Sequence, residues 1–171
     1  MGLDFFGIAI KRSEIEKYGS AKAAIDCLCN DYGLWQAREV FYARKGWELV
    51  DALNCDTEGE CCSELKLEDW VNLMDKMAPI GDYFNDIIDA YRKTDAIEED
   101  YSTAEELRAA YPKEMKLIET YRIWYDETFD MPPITGYEFS VGYMLDFWEA
   151  ADEVLKYLED PDWEVWMVAS Y

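Results

Sequence analysis

Two stretches of two-residue alternation stand far apart in the chain, and any fold must accommodate both. Residues 3–10, LDFFGIAI, set Asp4, Phe6, Ile8 and Ile10 against Leu3, Phe5, Gly7 and Ala9. Both sets are largely apolar, as in a strand buried on two faces. Residues 163–171, WEVWMVASY, set Trp163, Val165, Met167, Ala169 and Tyr171 against Glu164, Trp166, Val168 and Ser170. Left single, each strand would expose apolar side chains and a row of unpaired backbone groups, so each is the obvious partner of the other. A third candidate strand is ITGYEFS, residues 134–140, where Ile134, Gly136 and Glu138 alternate with Thr135, Tyr137 and Phe139.

Between the termini the period changes to that of helices. Ser13 and Glu16 have capping-box spacing for a short helix, and Ser20 is placed to cap a second that Gly33 would stop. Residues 34–53 contain no proline, and Phe41, Leu49, Ala52 and Leu53 mark one stripe, which predicts a single long helix. NCDTEGECCSE, residues 54–64, reads as a polar loop. Leu67, Trp70, Val71 and Met74 define a helix expected to end before Pro79, and Phe84, Ile87, Ile88 and Tyr91 define the next. A charged connector, KTDAIEEDYS, leads to a second capping box at Thr103 and Glu106. Pro112 either kinks that helix or starts another, whose inner face is Met115, Ile118, Tyr121, Arg122 and Tyr125. After FDMPPITG, a last helix opening at Ser140 buries Met144, Phe147, Trp148, Ala151, Leu155 and Leu158 and ends at Pro161. The expectation is a helix-rich α+β domain over residues 1–171, its small sheet formed by the N- and C-terminal strands.

Charge narrows the function. The 171 residues include 38 acidic and 16 basic side chains, a net charge of −22, yet half the chain is hydrophobic and 16% aromatic. Acidic tails that stay disordered lack such a core. Direct nucleic-acid and membrane binding are disfavoured, because both rely on Lys and Arg meeting phosphates. Basic proteins that themselves bind nucleic acid would instead be attracted. Residues 1–85 hold 16 acidic and 9 basic side chains, net −7, and residues 86–171 hold 22 and 7, net −15. The densest local array is Asp146, Glu149, Asp152, Glu153, Glu159, Asp160 and Asp162, with Lys156 its only basic interruption. Double-stranded DNA carries about one charge per 1.7 Å of axis, and carboxylates on successive helical turns recur about every 5.4 Å. Two or three such helices together approximate a phosphate backbone.

Catalytic and metal signals are sparse. Histidine is absent, which removes the commonest general base, triad partner and metal ligand together. GSAK at 19–22 is no phosphate loop. The cysteines, Cys27, Cys29, Cys55, Cys61 and Cys62, lack the paired Cys-x-x-Cys spacing of a zinc ribbon, so free thiols are expected, with no metal or cofactor. MGLDFFGIAIKRSE contains no apolar run long enough for an export signal, and no stretch matches a membrane span. The reducing cytoplasm is the matching compartment.

Three patches carry a resemblance: Met1–Asp4, then Glu39, Val40, Tyr42, Arg44 and Lys45, then Ala169, Ser170 and Tyr171. With GYEFS at 136–140 as a fourth, the chain resembles a family of small bacteriophage and prophage proteins. These begin Met-Gly-Leu-Asp, carry a central Glu-Val-x-Tyr-x-Arg-Lys helix and finish on a short aromatic strand; against that pattern, residues 92–130 of this chain look like a helical insertion of its own. The family carries no established activity, so the resemblance transfers no catalytic residue and implies only origin, a phage gene expressed in the bacterial cytoplasm. Acidity and origin together suggest a non-enzymatic inhibitor of the anti-restriction or anti-CRISPR type, a DNA mimic. Its partner would be a basic nucleic-acid-binding host protein, a nuclease or CRISPR effector. The alternative is a structural or accessory phage interaction module whose acidity only confers solubility, with salt-insensitive partner binding or a homodimer.

Overall fold

In the computed structural model, which describes residues 3–28, 37–55, 57, 62–95, 100–130, 132 and 136–170, the two terminal strands lie side by side. β1 (Asp4–Lys11) pairs antiparallel with β4 (Trp163–Ser170), from Asp4 opposite Ser170 to Lys11 opposite Trp163. The four-stranded sheet has the order β2-β1-β4-β3, with β2 at Ala37–Arg44 and β3 at Cys62–Glu64. The helices are α1 (Arg12–Tyr18), α2 (Ala21–Leu28), α3 (Trp47–Ala52), α4 (Leu67–Gly81), α5 (Phe84–Asp95), α6 (Ala104–Ala110), α7 (Pro112–Thr128) and α8 (Tyr137–Glu159). The architecture is the expected helix-rich α+β fold, its small sheet containing both terminal strands.

The chain divides into two compact units, residues 1–75 with 146–171, and residues 76–145. In the first, both faces of β1 are covered, as its two apolar sets require. Ile8 and Ile10 pack with Ala24, Ile25 and Leu28 of α2, joined by Trp166 and Val168 of β4. On the other face Phe5, Phe41, Trp70 and Phe147 form an aromatic cluster. Phe41 lies parallel to Trp70 (centroids 5.6 Å, planes 12° apart) and 4.7 Å from Phe147. The indole Nε1 of Trp70 donates to the Ala151 carbonyl at 3.4 Å, so its one polar group is satisfied.

The second unit is built around other aromatics. Tyr121, Trp124 and Tyr125 of α7 meet Phe84, Phe129 and Tyr137 edge-on or tilted. Trp124 donates to the Lys76 carbonyl and the Tyr121 hydroxyl to Ser140 Oγ. A smaller cluster of Ala90, Leu107, Met115 and Ile118 joins α5, α6 and α7. Beside it the Tyr91 hydroxyl is buried and reaches no hydrogen-bond partner among the described residues. Burial pushes that hydroxyl up to about 12, against the lowering influence of the Arg122 guanidinium beside it. Tyr91→Phe is therefore expected to stabilise the protein by about 1 kcal/mol, because a buried unsatisfied hydroxyl costs roughly that much or more. Urea unfolding measures it, and a loss of stability would mean the hydroxyl is bonded.

Several sequence expectations are corrected. Residues 34–53 are not one helix: 37–44 form β2 and 47–52 form α3, separated by Lys45 in the left-handed region (φ 58°). Residues 34–36 lie outside the described residues. Phe41 and Ala43 point inward and Tyr42 and Arg44 outward, and pairing with β1 satisfies a backbone that the helical spacing of apolar residues left undecided. The Glu39–Lys45 segment, helical by the phage-family resemblance, is thus strand and turn in this chain. Residues 62–64, expected as loop, form edge strand β3, whose pairing with β4 is a backbone matter its three polar-leaning side chains do not advertise. α4 continues through Pro79, and its buried stripe is Trp70, Leu73, Met77 and Ile80, leaving Leu67 and Val71 about 40% exposed. Residues 137–140 open α8 rather than forming a strand; 134 and 135 lie outside the described residues. Ser140 sits buried in the first turn instead of capping it. α1 begins at Arg12 without a side-chain cap, so Ser13 and Glu16 form no capping box. The proposed stop at Gly33 also lies outside the described residues. Ser20 does cap α2 and Pro112 starts α7; Thr103 Oγ1 accepts the Glu106 N–H as expected, but the Glu106 carboxylate accepts the N–H of Ser102 rather than that of Thr103, so only half of the expected box forms.

Candidate functional site

The acidic array sits on the C-terminal half of α8 and the turn that follows. At about 100° and 1.5 Å per residue, Asp146, Glu149, Asp152, Glu153 and Glu159 fall within an arc of about 140° along about 20 Å of helix. Phe147 and Val154 are fully buried, which fixes the rotation of the helix and turns this stripe outward. Asp146, Glu149, Asp152 and Glu159 are exposed, and Lys156, also exposed, projects near the middle of the arc.

Beyond the helix the backbone is held by local bonds. Asp160 Oδ1 accepts the Asp162 N–H at 2.9 Å, and the Asp160 carbonyl accepts the Trp163 N–H at 3.1 Å. The Asp162 carbonyl accepts the Arg12 N–H at 3.0 Å, tying the turn to the start of α1. Asp160 is therefore partly structural, whereas Asp162 has an exposed side chain. This follows turn chemistry, in which a short carboxylate bonds the backbone two residues on.

The seven carboxylates are not equivalent. Glu153 Oε1 lies 3.1 Å from Arg38 Nη2 of β2, an exposed pair worth about 0–1 kcal/mol to the fold but enough to offset one charge locally. Desolvation, and secondarily the Glu149 charge, hold the Asp146 carboxyl above the usual aspartate range, so it gains a proton sooner as the pH falls. Asp152, Glu149, Glu159 and Asp162 remain as the open, exposed members. The structure thus brings five of the predicted residues onto one stripe, adds two at its end, and marks Glu153 as already compensated.

Elsewhere, Cys27 is an exposed thiol, and Cys55 and Cys62 are half-buried; Cys29 and Cys61 lie outside the described residues. Among the described residues no three His, Cys, Asp or Glu side chains are grouped to hold a metal ion, and no helix is long and apolar enough to cross a membrane. Sequence reasoning missed a cavity of about 360 Å3 lined by residues of α5, α6 and α7, including Asp95 and Arg122. Its one signal was an arginine within the apolar stripe of α7. No protein-family model matches the chain, and comparison with curated proteins and with solved structures finds no match.

Proposed function

We propose that this is a non-enzymatic bacteriophage protein that binds a basic, nucleic-acid-binding host protein in the bacterial cytoplasm. It acts as a DNA mimic of the anti-restriction or anti-CRISPR type. The observation that carries the reading is the outward stripe of Asp146, Glu149, Asp152 and Glu159, continued by Asp160 and Asp162. The net charge of −22 supports it, since a field of that sign steers a basic groove towards the stripe and raises the association rate. The mechanism is occlusion: carboxylates occupy the positions where phosphates would meet Lys and Arg.

The test is binding to purified bacterial nucleases with basic DNA grooves, a restriction endonuclease and a CRISPR effector among them. Affinity should fall by about tenfold or more between 0.1 and 0.3 M salt, as expected for charge-steered association. Asp152→Lys with Glu149→Lys should weaken binding similarly, while Glu153→Gln should do less because Arg38 already offsets that charge. Salt-independent binding, or equal effects at 152 and 153, would sink the proposal.

Ile123 and Phe139, each 59% exposed, favour the second reading, a structural or accessory module acting through apolar contacts. It expects a homodimer or complex that persists in sizing at high salt.

A further inference from the structure

The cavity of the second unit has a chemistry unlike that of the acidic stripe. Its floor is apolar: Leu107, Met115 and Ile118, all buried, belong to the cluster that joins α5, α6 and α7. Tyr91 and Tyr101 add aromatic walls, and Ser102 adds a hydroxyl. Among the described residues two charged side chains of opposite sign line it, Asp95 at the end of α5 and Arg122 on α7.

Arg122 is unusual among the arginines of this unit. Arg92 pairs with Asp89 and Glu138, and Arg108 pairs with Glu119. Arg122 forms no ion pair among the described residues, although Asp126 lies one turn further along α7. The Asp126 carboxylate instead accepts the Tyr137 hydroxyl at 2.9 Å, and the Arg122 guanidinium rests over the Tyr137 ring, 5.0 Å from its centroid. Stacking of this kind orients a guanidinium and leaves its in-plane N–H donors available. Asp95 likewise forms no ion pair among the described residues. In a chain with more than twice as many acids as bases, an arginine held open at a cavity fits a carboxylate from outside the chain.

Size and field narrow the class. About 360 Å3 is at the lower end of the roughly 300–1,000 Å3 typical of ligand pockets, which suits a molecule the size of an amino acid. The net charge of −22 repels a free anion, and Arg122 discourages a free cation; a zwitterion escapes both penalties. We propose that this cavity binds a free α-amino acid with an apolar or aromatic side chain. Its carboxylate meets Arg122, its ammonium meets Asp95, and its side chain lies on Leu107, Met115 and Ile118. This site stands apart from the proposed DNA mimicry and does not depend on it.

Titration of the 15N-labelled full-length protein with L-phenylalanine, L-leucine, 3-phenylpropionate and phenethylamine tests it. At least one amino acid should bind saturably, shift amides of residues lining the cavity, and bind about tenfold more tightly than either single-charge analogue, the value of one charge-assisted pair. Arg122→Gln should reduce amino-acid affinity to about that for phenethylamine, and Asp95→Asn to about that for 3-phenylpropionate. Both side chains are exposed, so each variant should keep the wild-type melting curve. The proposal is overturned if neither amino acid binds, if an analogue binds as tightly, if the shifts cluster away from the cavity, or if folded variants retain full affinity.

Discussion

A chain stopped after Asp162 is expected to lose the cooperative fold of its sheet-bearing unit. β4 is an inner strand, paired with β1 along all eight of its residues and with β3 on its other edge. Val165, Met167 and Ala169 are buried towards the face that holds the Phe5 and Phe41 rings, while Trp166 and Val168 pack on the α2 side. Each large apolar side chain returned to water costs about 1.5–3 kcal/mol. Several together, with two lost ladders of hydrogen bonds, exceed the roughly 5–15 kcal/mol by which a domain is usually stable. Far-ultraviolet circular dichroism and urea unfolding of the shortened chain measure the effect. A wild-type unfolding midpoint would show that the strand contributes little to the core. The outcome also separates scaffold from surface: Trp163 to Ser170 hold the fold, and the carboxylates of α8 and its following turn are left as candidates for partner binding.

The terminal strands were legible because their alternation is apolar on both sides, a pattern no amphipathic helix produces. β2 was not, because Phe41 and Leu49 happen to fall at a helical spacing and the deciding interaction, pairing with β1, is remote in sequence. β3 carries almost no side-chain signal, since Cys62, Ser63 and Glu64 enter the sheet through their backbone. In α4 the existence of the helix was clear and its buried face was not: Trp70 anchors the stripe, but Leu73, Met77 and Ile80 continue it where Val71 and Met74 had competed. The acidic stripe could be read from spacing alone, yet the compensation of Glu153 by Arg38 required β2 to be a strand. The cavity was hidden for the same reason, because Asp95 and Arg122 are brought to one space only by the packing of α5, α6 and α7. Local periodicity finds elements; charges that act across elements emerge only from tertiary structure.

Gly7→Ala is expected to destabilise the protein by about 3 kcal/mol, the upper part of the usual overpacking range. Gly7 sits in β1 opposite Phe41 of β2 and Met167 of β4, where the register with β2 shifts by one residue. A Cβ at this position would lie 2.1 Å from Phe41 Cε1, far inside contact distance. The ring cannot withdraw, because Phe5, Trp70 and Phe147 surround it with centroids 5.7, 5.6 and 4.7 Å away. Elsewhere in a strand the same substitution would be neutral or favourable, since alanine loses less backbone entropy than glycine. The cost is therefore specific to the Phe41 ring and should disappear with it. Phe41→Ala alone should cost about 3–5 kcal/mol for the cavity it leaves. Adding Gly7→Ala to that variant should cost almost nothing, giving a coupling energy of about 2–3 kcal/mol. Urea unfolding of the four proteins in the cycle measures this coupling. Additive single effects would show that the ring does not rest on Gly7, and that the close approach of β1 and the aromatic cluster is not what requires a residue without a side chain there.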